Sequence, residues 1–428
     1  MKKYFLLFVL AFSIYVFHTI YTGQGIYGDG NGYYTFAQSL YFEKSLNFRP
    51  IFDYLSNFNS NKGIFSRIFW DTRPGPIGIL KNPFPIGTGI VWIPSLFFID
   101  TLGRLFQLNL NKFSLLYEMG PGLTGIIMVV SGCYFLEKYL CNFFDKKIAQ
   151  TTVLLFFFAS NLFYYASFEP GLSHQPAFFL ISFLLWKTHK MKRQTLNYLI
   201  VAALSGLLFI IRTPDTILLI PVWWQVLKTG PSGKNLVLMA LTGTIFTLPL
   251  WISYYLMFGN PLAMPYLTGF SGTFIFKVVR IAEFFFSARM GLFIWTPVYL
   301  IGIFGLFLKR SYLAILTLAL LFLTCSFWSG SNSAGFGERF VLSAIPYFAI
   351  GTAQIFSKIS LKASYILFLV LFFWNFLTLF QFYFDTANLL KNPNLTLSQF
   401  FLGQFGAPLR AVLIIKEKGF AYFWNSIS

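Results

Sequence analysis

Tyr27-Gly28-Asp29-Gly30-Asn31-Gly32-Tyr33-Tyr34 follows shortly after the first apolar run, Tyr4 to Tyr21, and the reading of these two stretches together decides the fold. An aspartate among glycines, then an aromatic pair and Ser39-Leu40, stands where a first membrane-spanning helix would deliver the chain to the far side. Glycine on each side opens backbone conformations closed to other residues and lets a substrate come close, so Asp29 is the first candidate for chemistry. The competing local reading is a turn whose aspartate caps a helix starting near Asn31. Met1-Lys2-Lys3 ahead of the apolar run gives it the look of a signal peptide. The run is too long and no small-x-small site follows it, so the expectation is an uncleaved first span with its N-terminus inside.

Composition sets the class. Hydrophobic residues make up 56% of 428 and charged residues 11%, with 57 phenylalanines, more than a water-soluble core of this size requires. The expectation is a polytopic, all-α integral membrane protein. A formal net charge of +18 raises the question of nucleic acid. The basic residues recur in short clusters between apolar runs instead of forming a patch, as helix ends facing a cytoplasm and anionic lipid do. Cys133, Cys141 and Cys325 show no metal spacing, and no internal repeat is visible.

Apolar runs lie at about 85–103, 117–137, 148–166, 172–187, 196–211, 214–227, 236–256, 291–308, 312–328, 340–357 and 363–384. Lys138 with Lys146-Lys147, Lys187 through Arg193, Lys228 with Lys234, Lys309-Arg310, and Lys358 with Lys362 fall at every second connection, which places them in the cytoplasm. An odd number of crossings must then separate the first outer loop from Lys146-Lys147, so one of the two runs between them does not cross. Pro85, Gly87, Gly89 and Pro94 interrupt 85–103, and Asp100 with Arg104 closes it, so this run is predicted to lie in the interface or re-enter. About eleven spans remain within a domain of residues 1–384, with 385–428 as an outer tail.

The same parity sends the unusual polar stretches to the outer face. They are Gly28-Asp29-Gly30; Arg73-Pro74-Gly75-Pro76 with Lys81-Asn82-Pro83; Phe168 to His174; Arg212 to Asp215; Arg280 to Arg289; and Phe336-Gly337-Glu338-Arg339. Ionisable groups at membrane depth are expensive and mark sites. The first outer loop, about 22 to 84, exceeds what a simple connection needs. Tyr33 to Leu46 carries Phe36, Leu40 and Leu46 at helical spacing, which predicts an interfacial helix with its apolar side in lipid, and Ile51 to Phe58 predicts a second.

An outer-face enzyme has no ATP or nucleotide sugar and must draw its activated group from lipid. Arginine and lysine suit a lipid phosphate, arginine through its planar bidentate fork. A carboxylate in reach of a hydroxyl suits a general base, the role assigned to Asp29. Each other candidate has a plainer use. Arg289 could anchor a helix end, Arg339 pair with Glu338, Arg212 pair with Asp215, His174 be a bonded structural histidine, Glu169 cap a helix, and Lys81 hold a headgroup. Asp29 with Glu43 is the one carboxylate pair through which a divalent ion could enter, fourteen residues apart.

These pieces, in order, resemble the GT-C superfamily of polytopic glycosyltransferases, which includes protein O-mannosyltransferases and the enzymes adding aminoarabinose to lipid A. The matching stretches are Gly28-Asp29-Gly30-x-Gly32-Tyr33-Tyr34-x-x-x-x-Ser39-Leu40, Lys81-Asn82-Pro83-Phe84-Pro85-Ile86-Gly87, Glu169-Pro170-x-x-Ser173-His174, Arg212-Thr213-Pro214, Phe286-Ser287-x-Arg289-x-Gly291-Leu292-Phe293-x-Trp295-Thr296-Pro297, and Phe336-Gly337-x-Arg339-Phe340, spread over roughly residues 1 to 350. The resemblance implies an inverting transferase with a polyprenyl-phosphate-linked sugar donor, the first-loop aspartate as base, and horizontal helices in that loop. Relatives often carry a second acidic pair some fourteen residues beyond the aspartate, where this chain reads Glu43-Lys44-Ser45. The expectation is transfer to a lipid, glycan or protein acceptor at the outer face of a bacterial-type inner (plasma) membrane, without nucleic acid. Tyr33, Lys81, Glu169, His174, Arg212, Arg289 and Arg339 are the expected substrate contacts. A flippase of lipid-linked glycans is the rival from another class.

Overall fold

The computed structural model of the chain describes residues 2–62, 74–265, 278–327, 335–384, 389, 392 and 394–418. Helix accounts for 76% of the described residues and no strand occurs among them, so the fold is all-α. In chain order the helices are α1 (Lys2–Thr22), α2 (Gly30–Gln38), α3 (Arg49–Lys62), α4 (Gly87–Leu105), α5 (Leu115–Leu140), α6 (Lys146–Ala159), α7 (Leu162–Ser167), α8 (His174–His189), α9 (Thr195–Ile211), α10 (Ile220–Lys228), α11 (Gly233–Phe258), α12 (Val278–Phe286), α13 (Leu292–Trp295), α14 (Val298–Leu308), α15 (Tyr312–Phe327), α16 (Ile345–Phe356), α17 (Leu361–Phe384) and α18 (Leu397–Lys418). Among the described residues, five segments are long and apolar enough to cross a membrane: Lys2–Thr22, Leu115–Leu140, Gly233–Phe258, Arg339–Phe356 and Leu361–Tyr383. Thr195–Ile211, Val298–Leu308 and Tyr312–Ser326 are apolar but shorter. Several such helices in one chain are the mark of a membrane protein.

The chain divides into two compact units, Met1–Gly132 with Ala166–Thr273, and Cys133–Tyr165 with Phe274–Ser428. In the first, five helix ends gather at one end of the bundle. Glu118, in the first turn of α5, accepts from the Gly25 amide just past α1. Ser173, at the start of α8, bonds Tyr33 on α2, and α9 returns beside α8 after a short connection. Tyr254, near the end of α11, donates to Pro83 O.

Helix α4 starts against the end of α9, where Thr88 Oγ reaches Ile211 O at 3.5 Å. It finishes against the start of α5, where Tyr117 Oη donates to Asp100 at 3.0 Å. Both ends of α4 therefore lie at this one end of the unit, and α4 is not among the five long apolar segments.

Helix α2 departs from its sequence expectation. All nine of its residues are buried, and Phe36 packs in a core with Phe48 and Trp92 instead of facing lipid. The reason is coverage: α4 packs along α2, and Phe84 and Asn82 close over its first turn.

In the second unit α14 lies along α16, and α6 packs against α16 and α17. The apolar run 148–166 is not one helix. It breaks at Ser160, whose φ of −127° and ψ of 176° are extended. Within the expected tail, 397–418 is helical and packs on α17.

Candidate functional site

The turn that carries Asp29 is held from several sides. Gly25 N donates to Glu118 Oε2 at 3.1 Å, and Tyr15 Oη donates to Gly25 O at 2.8 Å. Tyr27 Oη donates to Gln24 O at 2.9 Å and lies 2.5 Å from Thr22 Oγ. Gly28 turns the chain with a φ of +47°, the left-handed region where glycine carries no penalty. Its carbonyl accepts from Asn31 Nδ2 at 3.2 Å. Asp29 then takes the residue position just before α2, with its carbonyl accepting from Gly32 N at 3.0 Å. Its half-buried carboxylate makes no capping hydrogen bond to the helix.

Other loops are sewn to this turn. Gly30 packs so close to Gly171 O that a Cβ would collide with it, which brings Glu169-Pro170-Gly171 alongside Asp29-Gly30. Glu169 O accepts from Gln175 Nε2 at 3.0 Å, which fixes the entry to α8 and buried His174. Tyr33, one helical turn past Asp29, accepts from Ser173 Oγ at 3.0 Å, with its ring edge-on to Phe84 and Trp92. Asn82 Nδ2 donates to Gly32 O at 2.9 Å and so sets half-buried Lys81 beside the first turn of α2. Asp29, Tyr33, Lys81, Glu169 and His174 thus come together from three separate stretches.

Arg212 ends α9 at the same end of the unit, where its Nε donates to fully buried Asp215 at 2.9 Å. Glu43 takes an ion pair from Lys112 at 2.7 Å, a use other than pairing with Asp29. Among the described residues no group of three or more His, Cys, Asp or Glu is placed to hold a metal. A groove of about 200 Å³ between Ser45–Arg49 and Gly78–Leu80 is lined by none of the candidate residues.

The second unit gathers the two remaining arginines around Trp295. Its Nε1 donates to Ala288 O at 2.9 Å, fixing the backbone next to Arg289, and its ring meets Phe336 edge-on at 5.5 Å, three residues before Arg339. Arg339 is buried, with its guanidinium 5.8 Å from the centre of the Phe340 ring. A Cβ on Gly335 would stand 2.8 Å from Tyr165 Oη and 3.9 Å from Arg339 Cδ, so glycine keeps that approach open. Glu338 O accepts from Asn161 Nδ2 at 3.0 Å, and Asn161 Oδ1 accepts from Tyr299 Oη at 2.7 Å. Burial pushes the Glu338 carboxyl up to about 8, against the opposing pull of Arg339. Arg73 and the side chain of Arg280 lie outside the described residues.

A half-buried carboxylate on a rigid turn can take a proton from a hydroxyl, and guanidinium groups can balance a phosphate as its charge develops. Sequence reasoning passed over Glu118, although a carboxylate in the apolar run 117–137 carries the signal of an ionisable group at membrane depth. Comparison with known protein families and with curated proteins gives no match.

Proposed function

We propose that the chain is an inverting glycosyltransferase of a bacterial-type inner membrane, with about eleven spans and its site on the extracytoplasmic face. It moves a sugar from a polyprenyl-phosphate-linked donor to a lipid, glycan or protein acceptor. Asp29 takes the acceptor hydroxyl proton as that oxygen attacks the anomeric carbon. The carbon–oxygen bond to the carrier phosphate breaks on the opposite face of the sugar, and the phosphate leaves with the electron pair. Arg289 and Arg339 are the proposed phosphate ligands, with Lys81 as a further cation. Glu169 and His174 are the proposed acceptor contacts.

The observation that carries this reading is Asp29 itself. It stands in the turn just before α2 with helical dihedrals, φ −58° and ψ −24°, a conformation from which its carboxylate does not cap the helix. The turn around it is fixed by α1 and α5, and loops bearing Lys81, Glu169 and His174 are tied against it. The clustering of these polar loops at one end, with Lys187 to Arg193 and Lys228 at connections away from it, supports the sidedness.

The test is Asp29→Asn in the purified protein with a polyprenyl-phosphate sugar. Turnover should fall by about 100-fold or more while donor binding is kept. Retained turnover would overturn the assignment, and unimpaired movement of lipid-linked glycan across vesicles would favour a flippase.

A further inference from the structure

Helix α18 falls in the part of the chain that the charge pattern assigns to an outer tail. We infer that it is instead buried in the membrane beside α17, and that its outward face fits lipid acyl chains. The contacts between the two helices set an antiparallel register. Phe400 O accepts from Gln381 Nε2 at 3.1 Å, and four residues on, Gln404 Nε2 donates to Trp374 O at 3.1 Å and Thr378 Oγ at 2.7 Å. As the number rises along α18 the partner number falls along α17. The C-terminal helix therefore runs back down a segment that is itself long and apolar enough to cross.

The division of its side chains fits hydrocarbon. Gln404, a polar group costly in lipid, is fully buried and spends its amide on α17. Arg410 donates within its own helix to Gly403 O at 3.2 Å. Leu402, Phe405, Leu409 and Val412 form an outward stripe exposed by 75%, 67%, 65% and 60%. On α17, Val370, Phe373 and Phe376 are also exposed. Water would make both faces unfavourable, and acyl chains make both ordinary. At about 1.5 Å per residue, the stretch from Leu397 to Ile415 reaches about 28 Å, close to a hydrocarbon core of about 30 Å, although α18 is not among the five long apolar segments. Lys416 near its end then emerges at the same side as Lys358 and Lys362 before α17.

The experiment compares two epitope tags in the full chain, one after Ser428 and one in the 358–362 connection, by protease access in sealed vesicles of each orientation. Access from the same side is expected, and access from opposite sides overturns the inference. Single cysteines at Leu402, Phe405 and Leu409 should react slowly with a water-soluble maleimide in membranes and rapidly after denaturation in SDS. Rapid reaction in membranes overturns lipid burial, as does oxidative cross-linking of Phe405→Cys between chains, which would assign the face to a second copy. Neither readout depends on sugar transfer.

Discussion

Asp29 sits directly before α2 with helical dihedrals, so its carboxylate does not cap the helix. What keeps the turn in shape is Glu118, whose second oxygen also accepts from Tyr54 Oη at 3.4 Å. Glu118→Ala would leave a buried amide without its acceptor, a loss of about 1–3 kcal/mol read as a lower melting temperature in detergent. Glu118→Gln should recover part of it. Glu338 gives a prediction of a different kind. Its folded-state value of about 8 lies above the ordinary carboxylate value, so the folded protein holds that proton more tightly than the unfolded chain. The contribution is complete below about 4.5 and is lost as the pH rises through about 8. Melting temperature should therefore fall over that window, and Glu338→Gln should flatten the fall. The turn that carries Asp29 was legible because its glycines are written in the sequence. Glu118 was not, because its importance lies in an amide 93 residues away.

At the scale of helices, apolar runs located most elements but not their interruptions. The run 148–166 reads as one span, whereas two polar residues, Ser160 and Asn161, end α6 and start α7. Backbone groups freed at such a break must find partners in place of water. Asn375 Nδ2 on α17 supplies them, donating to Phe158 O at 2.9 Å and Ser160 O at 3.0 Å. Asn375→Leu should lower stability by about 1–3 kcal/mol in thermal unfolding, whereas substitution of exposed Phe373 by Leu should not. The helix after Asp29 shows the opposite limit. Helical spacing revealed that Phe36 has an apolar face, but spacing cannot say whether α4 or lipid covers it.

Over the whole molecule, the unequal distribution of positive charge is the feature most plainly carried by the sequence, because it depends on composition between runs and not on packing. Cys141 offers a direct reading of it. It is exposed, between Lys138 and Lys146, whereas Cys133 is buried. A membrane-impermeant maleimide should modify Cys141 in inside-out vesicles and leave it untouched in intact cells; labelling of intact cells would reverse the orientation. Packing between distant stretches stayed hidden for the same reason that Glu118 did, since it arises from which surfaces meet. The anchoring of Gly25 has one more consequence, for biogenesis. Its carbonyl partner arrives with α1 and its amide partner only with α5. A nascent chain released before Glu118 has been synthesised can insert its first helix but cannot finish the bend behind it, so the Asp29 carboxylate would find its place only after several later segments have left the ribosome.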